Sequence, residues 1–315
     1  MAHSLSFYSK NKSLSGNIIN FFLSIKSFIT KAVTKMPATV IGYLALVVWS
    51  LSASAAVHIA TLPVFQVLIM TFFLAFLLSA VRLTATKTWS SLKQPWYVWV
   101  IGVFGICVQQ FFYLKAFQNG PAAQVDIIIY LWPLFLILLV GFLPKEKIKM
   151  KHIAAVMTGF IGILVLNIGD HGFALDTEHM WGYAYALVCA VLWSGYTLSA
   201  RYFKKIPTNI IGIYCGIGSF ISLIAHLTYE EFVMPTLFQM AVISFIGIFV
   251  SGAAYLMWDY GIKKGNIKLL AILSYMNPIL SIGFLSVLAN VELNSKIGYA
   301  CILIAAGGWM GGKGS

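Results

Sequence analysis

Charged side chains are scarce in this sequence, and acidic ones are scarcest: Asp and Glu number 9 among 315 residues, against 21 Lys and Arg. With 10% charged and 60% hydrophobic residues, a soluble globule of this length would lack the polar surface to cover itself. The four cysteines, Cys107, Cys189, Cys215 and Cys301, lie in apolar segments without CxxC spacing. They read as small core hydrophobes, not as metal ligands or a disulfide framework. HExxH and GxSxG are both absent, which leaves no metal centre or nucleophile from which to argue catalysis, so neither an enzyme nor a cofactor is expected. GGWMGGKGS does contain G-x-x-x-x-G-K, from Gly307 to Lys313, but Gly314 stands where a P-loop needs Ser or Thr. HGFALD, His171 to Asp176, has a His and Asp spacing seen in acyl transfer, yet no other motif supports it.

What the chain does have is long apolar runs, with a mean hydropathy of +0.88. Ten are long enough to span a bilayer: 39–57, 63–81, 96–117, 121–143, 152–168, 180–200, 207–228, 235–262, 266–290 and 296–312. The formal net charge of +12 would suggest nucleic acid in a soluble protein, but here the basic residues cluster in short loops between apolar runs. The expected partners are therefore the lipid bilayer and a small-molecule substrate, not nucleic acid. When loops are assigned alternately to two sides, one side holds only Lys296, with Lys115 near its edge, and the other takes the remaining 19 of the 21 basic residues. The positive-inside rule then puts both termini in the cytoplasm. Residues 1–38 form an N-terminal arm, in which Asn20, Ser24, Ser27, Lys31 and Thr34 lie opposite Ile18, Phe22, Ile25 and Ile29. That pattern fits either an interfacial amphipathic helix or a partly ordered tail.

The chain also repeats itself. YLKAFQNGPAAQVDIIIYLWP, Tyr113 to Pro133, aligns without gaps on WDYGIKKGNIKLLAILSYMNP, Trp258 to Pro278, at an offset of 145. Trp49-Ser50 matches Trp193-Ser194 one residue off that register. The expected fold class is an all-α polytopic membrane protein of ten transmembrane helices in two repeats of five, 39–168 and 180–315, joined by an external loop at 169–179. An odd number of spans per repeat inverts the second relative to the first, and corresponding loops do have opposite charge character. The bare turn at Gln118 to Gly120 corresponds to the basic loop at Lys263 to Lys268.

YLWPL (Tyr130 to Leu134), WDYGIKKG (Trp258 to Gly265) and LSYMNPILS (Leu273 to Ser281) resemble the EamA family of the drug/metabolite transporter superfamily, and within it the YddG-type aromatic amino acid exporters. The resemblance runs from about Val40 onward. It implies a ten-helix basket in the bacterial inner membrane, with a central cavity between its halves and export of amino acids by alternating access. Another small metabolite, such as a nucleoside, cofactor or drug, remains the rival substrate, and a channel or membrane enzyme the rival class.

Candidate substrate-binding residues follow from pattern. The repeated pairs Trp49-Ser50 and Trp193-Ser194, and Tyr130 with Tyr275, occupy related positions that would face one central axis, though packing alone also explains aromatic residues there. Pro133 and Pro278 withhold hydrogen bonds within spans and mark hinges or a cavity wall, with Asn277 beside the second. Lys115 and Asp126 flank the turn at Asn119-Gly120 at depths that differ by only about 3 Å at the helical rise of about 1.5 Å per residue. They are expected either to pair with each other or to line the substrate path. Asp259 is expected to pair locally with Lys263, four residues on. Proton coupling remains open, and the glycine-rich final segment fits either close helix packing or a homodimer contact.

The topology is directly testable. With native cysteines removed, Lys147→Cys and Lys264→Cys are expected to resist an impermeant thiol reagent in intact cells, whereas Glu178→Cys reacts. Labelling of Lys147→Cys from outside contradicts the ten-span arrangement.

Overall fold

The computed structural model describes residues 36–59, 61–143, 146–167, 177–277 and 279–280, with single positions 299, 302, 303, 306, 307 and 310. The amphipathic arm, the HGFALD loop, Pro278, Cys301 and most of the tenth expected span lie outside these residues.

Proline sets where helices begin. Pro63, Pro95 and Pro121 precede α2 (Val64–Thr86), α3 (Trp96–Asn119) and α4 (Ala122–Ile129), where a missing backbone N–H leaves no helical bond unmade. α1 is Ala38–Ile59, α5 Trp132–Val140 and α6 Met150–Asn167. The second half contributes α7 (Met180–Tyr202), α8 (Ile210–Tyr229), α9 (Leu237–Lys264) and α10 (Ile267–Leu273). Five segments, α2, α3, α7 with its leading 3-10 turn, α8 and α9, are each long and apolar enough to cross a membrane. Their outer faces are apolar as well: Leu237 is 89% exposed and Leu227 77%. Only lipid makes such a surface inexpensive, so this is a multi-pass membrane protein, all-helical among the described residues.

The fourth expected span is not one continuous helix. It stops at Ile129, turns at Tyr130-Leu131 and restarts at Trp132, because Pro133 cannot donate to the Ile129 carbonyl and its ring crowds that turn. The same interruption recurs at Ser274-Tyr275, after α10 and just before the second proline of the repeat. A second irregularity was not foreseen: α3 widens to a π-helix at Val103–Val108, and α9 does so at Ile246–Ala254, which brackets the repeat-equivalent positions.

The two halves interlock. Near one end of α2, Phe65 and Gln66 bond to Glu230 beyond the end of α8; further along, Ile69 bonds to Ser219, and a Cβ on Gly212 would strike Ser79. Residue numbers rise on one helix as they fall on the other, so α2 and α8, which occupy equivalent places in the repeat, run antiparallel. The packing of α1 on the end of α9 has its counterpart in that of α7 on the end of α3. Glycine permits the closest approach, between Gly42 of α1 and Gly261 of α9, where an added Cβ on Gly261 would sit 2.5 Å from the Gly42 Cα. Gly307 of the glycine-rich final segment is likewise used inside the chain, facing the Ala155 carbonyl at 2.7 Å from such a Cβ.

Gly261→Ala is expected to lose about 1–3 kcal/mol of stability, since backbone opposes the new methyl and must move. Gly195, with nothing within 4 Å of its would-be Cβ, is the control. Gly195→Ala should leave the melting temperature unchanged or higher, and equal losses in the two variants would refute the close-contact account.

Candidate functional site

Between the halves lies a cavity of about 1190 Å³ of empty space, part of it continuous with solvent. Its wall is drawn from both halves. Trp49, Trp132, Trp193 and Tyr255 supply ring faces, and Gln109, Gln110, Tyr113, Asp126, Tyr130 and Asn277 supply most of the polar atoms. Ile59, Val67 and Leu114 line it toward the end of the bundle with few basic residues.

The floor is an aromatic cluster. Trp49 meets Trp193 edge-on at 5.4 Å between ring centroids and Trp258 at 5.4 Å, Trp258 meets Trp132 at 5.7 Å, and Trp193 stacks on Tyr196 at 5.7 Å. Edge-to-face and offset contacts of this kind add about 0.5–1.5 kcal/mol per pair beyond burial. Residues at matching repeat positions touch across the middle: Trp49 with Trp193, Tyr130 with Tyr275 at 6.5 Å, and Gln110, which accepts a 3.2 Å hydrogen bond from the Tyr255 hydroxyl.

The expected site residues separate here. Trp49, Asp126, Tyr130, Trp193 and Asn277 line the cavity. Ser50 instead donates to the Val47 carbonyl in its own helix, and the Ser194 hydroxyl is shared between the carbonyls of Trp132 (2.8 Å) and Ala190 (2.7 Å), tying α7 to the restart at α5. Tyr275 is fully buried behind Tyr130 and against Phe160, off the cavity wall. Lys115 is a correction. No ion pair joins it to Asp126, and it does not line the cavity. Similar depth on adjacent helices does not bring two side chains together when they leave their helices in different directions.

Gln109, Gln110, Tyr113, Tyr255 and Trp258 were missed. A polar Gln109-Gln110 pair amid an apolar span was the available signal, because an amide in hydrocarbon must find a partner or a wet surface. The Gln109 amide nitrogen donates to Cys189 at 3.1 Å, while its oxygen and that of Asn277 have no hydrogen-bond partner among the described residues.

Below the aromatic floor, charges tie the basic end together. Arg201 of α7 donates to Glu146 at 3.0 Å and to the carbonyls of Ile262, Lys263 and Gly265, and Lys268 meets the other Glu146 oxygen at 3.0 Å. The expected Asp259–Lys263 pair forms at 2.6 Å, with Thr208 also donating to Asp259. Burial alone would raise the Glu146 carboxyl, but hydrogen bonds from Lys268 and Arg201, with their charges, outweigh it and hold the group below the ordinary glutamate value.

The family model for the EamA-like transporter family matches the chain twice, over residues 36–168 and 180–310. The chain belongs to the EamA-like transporter family. Among its curated relatives, the aromatic amino acid exporter YddG of Ancylobacter novellus is 34% identical over 87% of this chain and 96% of its own length. The YddG exporter of Escherichia coli K12 is 24% identical over 61% of this chain and 67% of its own. A solved crystal structure superposes with a TM-score of 0.83 at 33% identity, covering 88% of this chain and 99% of the other. As an EamA-family member this protein is a transporter of small molecules, not an enzyme, and its cavity is read below as a transport site.

Because the Glu146 carboxyl titrates low, its ties are complete above the ordinary glutamate range and are lost only as pH falls through the lower folded value. Glu146→Gln is expected to remove that acid sensitivity. Thr197 is buried, its hydroxyl accepting from the Trp258 indole, and the same variant should raise, several-fold, the rate at which a thiol reagent reaches Thr197→Cys from the basic end, with native cysteines removed. An unchanged rate would assign Glu146 a surface role only.

Proposed function

We propose that this protein exports aromatic amino acids across the bacterial inner membrane by alternating access, through ten spans arranged as two inverted five-helix repeats with cytoplasmic termini. The observation that carries this reading is the central aromatic-lined cavity shared between the halves, in a chain 34% identical to an exporter of aromatic amino acids. Antiparallel packing of α2 on α8 and the matched π segments support the inverted repeat. The domain boundaries proposed are those of the repeat, 39–168 and 180–315, with 169–179 as the external loop.

In this reading the cavity opens outward, since the basic loops face the cytoplasm, and the aromatic floor with the Glu146 ties closes the inner side. Trp49, Trp193 and Tyr130 sandwich the substrate ring, and Asp126 with Asn277 holds its polar end. Pro133 and Pro278 mark the hinges, because the interrupted spans beside them give up helical hydrogen bonds that would otherwise resist bending. Ser50, Ser194 and Tyr275 support this wall from behind. Asp126 is also the group proposed to carry any coupled proton. Because Gly307 packs on Ala155, the homodimer proposed would form through other surfaces.

Counterflow in sealed vesicles decides among substrates. Saturable exchange of tryptophan, phenylalanine or tyrosine is expected, with Asp126→Asn losing exchange or its response to an imposed pH gradient while keeping normal yield and melting temperature. Preference for nucleosides would move the assignment to another metabolite. Non-saturating flux would make the protein a channel.

A further inference from the structure

The cavity is chemically one-sided. Asp126 is the one carboxylate among the described lining residues, and no Lys, Arg or His lines the wall with it. Lys115, the nearest cation in the sequence, makes no ion pair with it and lies off the wall. Two further oxygens, those of the Gln109 and Asn277 amides, are buried there without a partner among the described residues. Tyr130 follows Asp126 by one helical turn, and Tyr113 lines the same wall. Unpaired acceptors beside π faces describe a site for an organic cation: the oxygens take the N–H groups, and the rings attract the positive charge.

An aromatic amino acid satisfies only part of this arrangement. Its ammonium suits Asp126, but its carboxylate enters a cavity whose described lining already has one carboxyl group and offers no cation. The amides can turn their NH2 groups toward it, which lets the amino acid bind, at the loss of those acceptors to the ammonium. The corresponding amine brings the same ring and ammonium without the carboxylate. We infer that the cavity also binds and carries aromatic monoamines such as tryptamine, tyramine and phenethylamine, with Asp126 pairing with the ammonium. This inference rests on the aromatic-substrate reading of the same cavity.

Four ligands that share an indole ring separate the charges: tryptamine, tryptophan, neutral indole and the anion indole-3-propionate. Neutral amines leak across bilayers, so binding is read on the purified full chain in detergent, by calorimetry and by the ligand concentration giving half-maximal thermal stabilisation. Tryptamine should bind about tenfold or more tighter than indole, the scale of a charge-assisted hydrogen bond, and indole-3-propionate more weakly than indole. Asp126→Asn should abolish the advantage of tryptamine over indole. The wild-type series tests the inference even if that variant does not fold: equal binding of tryptamine and indole, or tighter binding of the anion, overturns it. Tryptophan bound and exchanged without tryptamine binding would overturn this inference and leave amino acid export standing. Tryptamine bound without tryptophan exchange would do the reverse, and failure of both would remove both.

Discussion

Within hydrocarbon, every backbone N–H and C=O must be satisfied by the protein itself, and much of this structure follows from that constraint. Long uninterrupted helices such as α2 and α8 meet it by themselves and can face lipid. Interruptions cannot. Those at Tyr130-Leu131 and Ser274-Tyr275 lie where the two halves meet, with Tyr130 and Ser274 on the cavity wall. Ser194 braces the restart after the first break by bonding to the Trp132 carbonyl. The π segments also lie inward: Ile246, Val250 and Ser251 line the cavity, and a Cβ on Gly105 would strike Tyr196. Departure from regular helix is thus concentrated, among the described residues, around the cavity.

Close packing of the halves depends on the smallest residues. Lipid tails are as apolar as leucine, so helices in a bilayer gain little from hiding apolar surface and instead rely on close contact. Gly42 against Gly261, and Gly212 against Ser79, bring backbones together across the boundary between the halves. Such contacts fit one arrangement well and tolerate little gradual distortion, which suits a protein that exchanges two discrete states. At the end with few basic residues, the Glu230 carboxylate accepts from the N–H groups of Phe65 and Gln66, a charge placed at the positive end of α2, and pairs with His226 at 2.9 Å. At the basic end, Glu146, Arg201 and Lys268 join three different loops and helices. Among the described residues these ties sit toward the two ends of the bundle, whereas Asp126 lines the cavity.

The sequence by itself determined the solvent, the helical class and the repeat. Scarce charge and ten apolar runs require lipid, and loop lysines fix an expected orientation, because these are properties of composition along a line. The equivalence of Tyr130 with Tyr275 and of Trp49 with Trp193 was legible in the same way, as was the Asp259–Lys263 pair, because four residues on a helix is a fixed distance. Only the tertiary structure decided which members of those equivalent sets meet the cavity. Trp49 and Trp193 face it whereas Ser50 and Ser194, one residue further on, turn into helix contacts, since a helix rotates about 100° per residue and one position changes the face. Depth could be counted for Lys115 and Asp126, but the direction in which each leaves its helix could not. That direction is set by helix rotation against neighbours distant in sequence, and it left Asp126 in the cavity without the lysine.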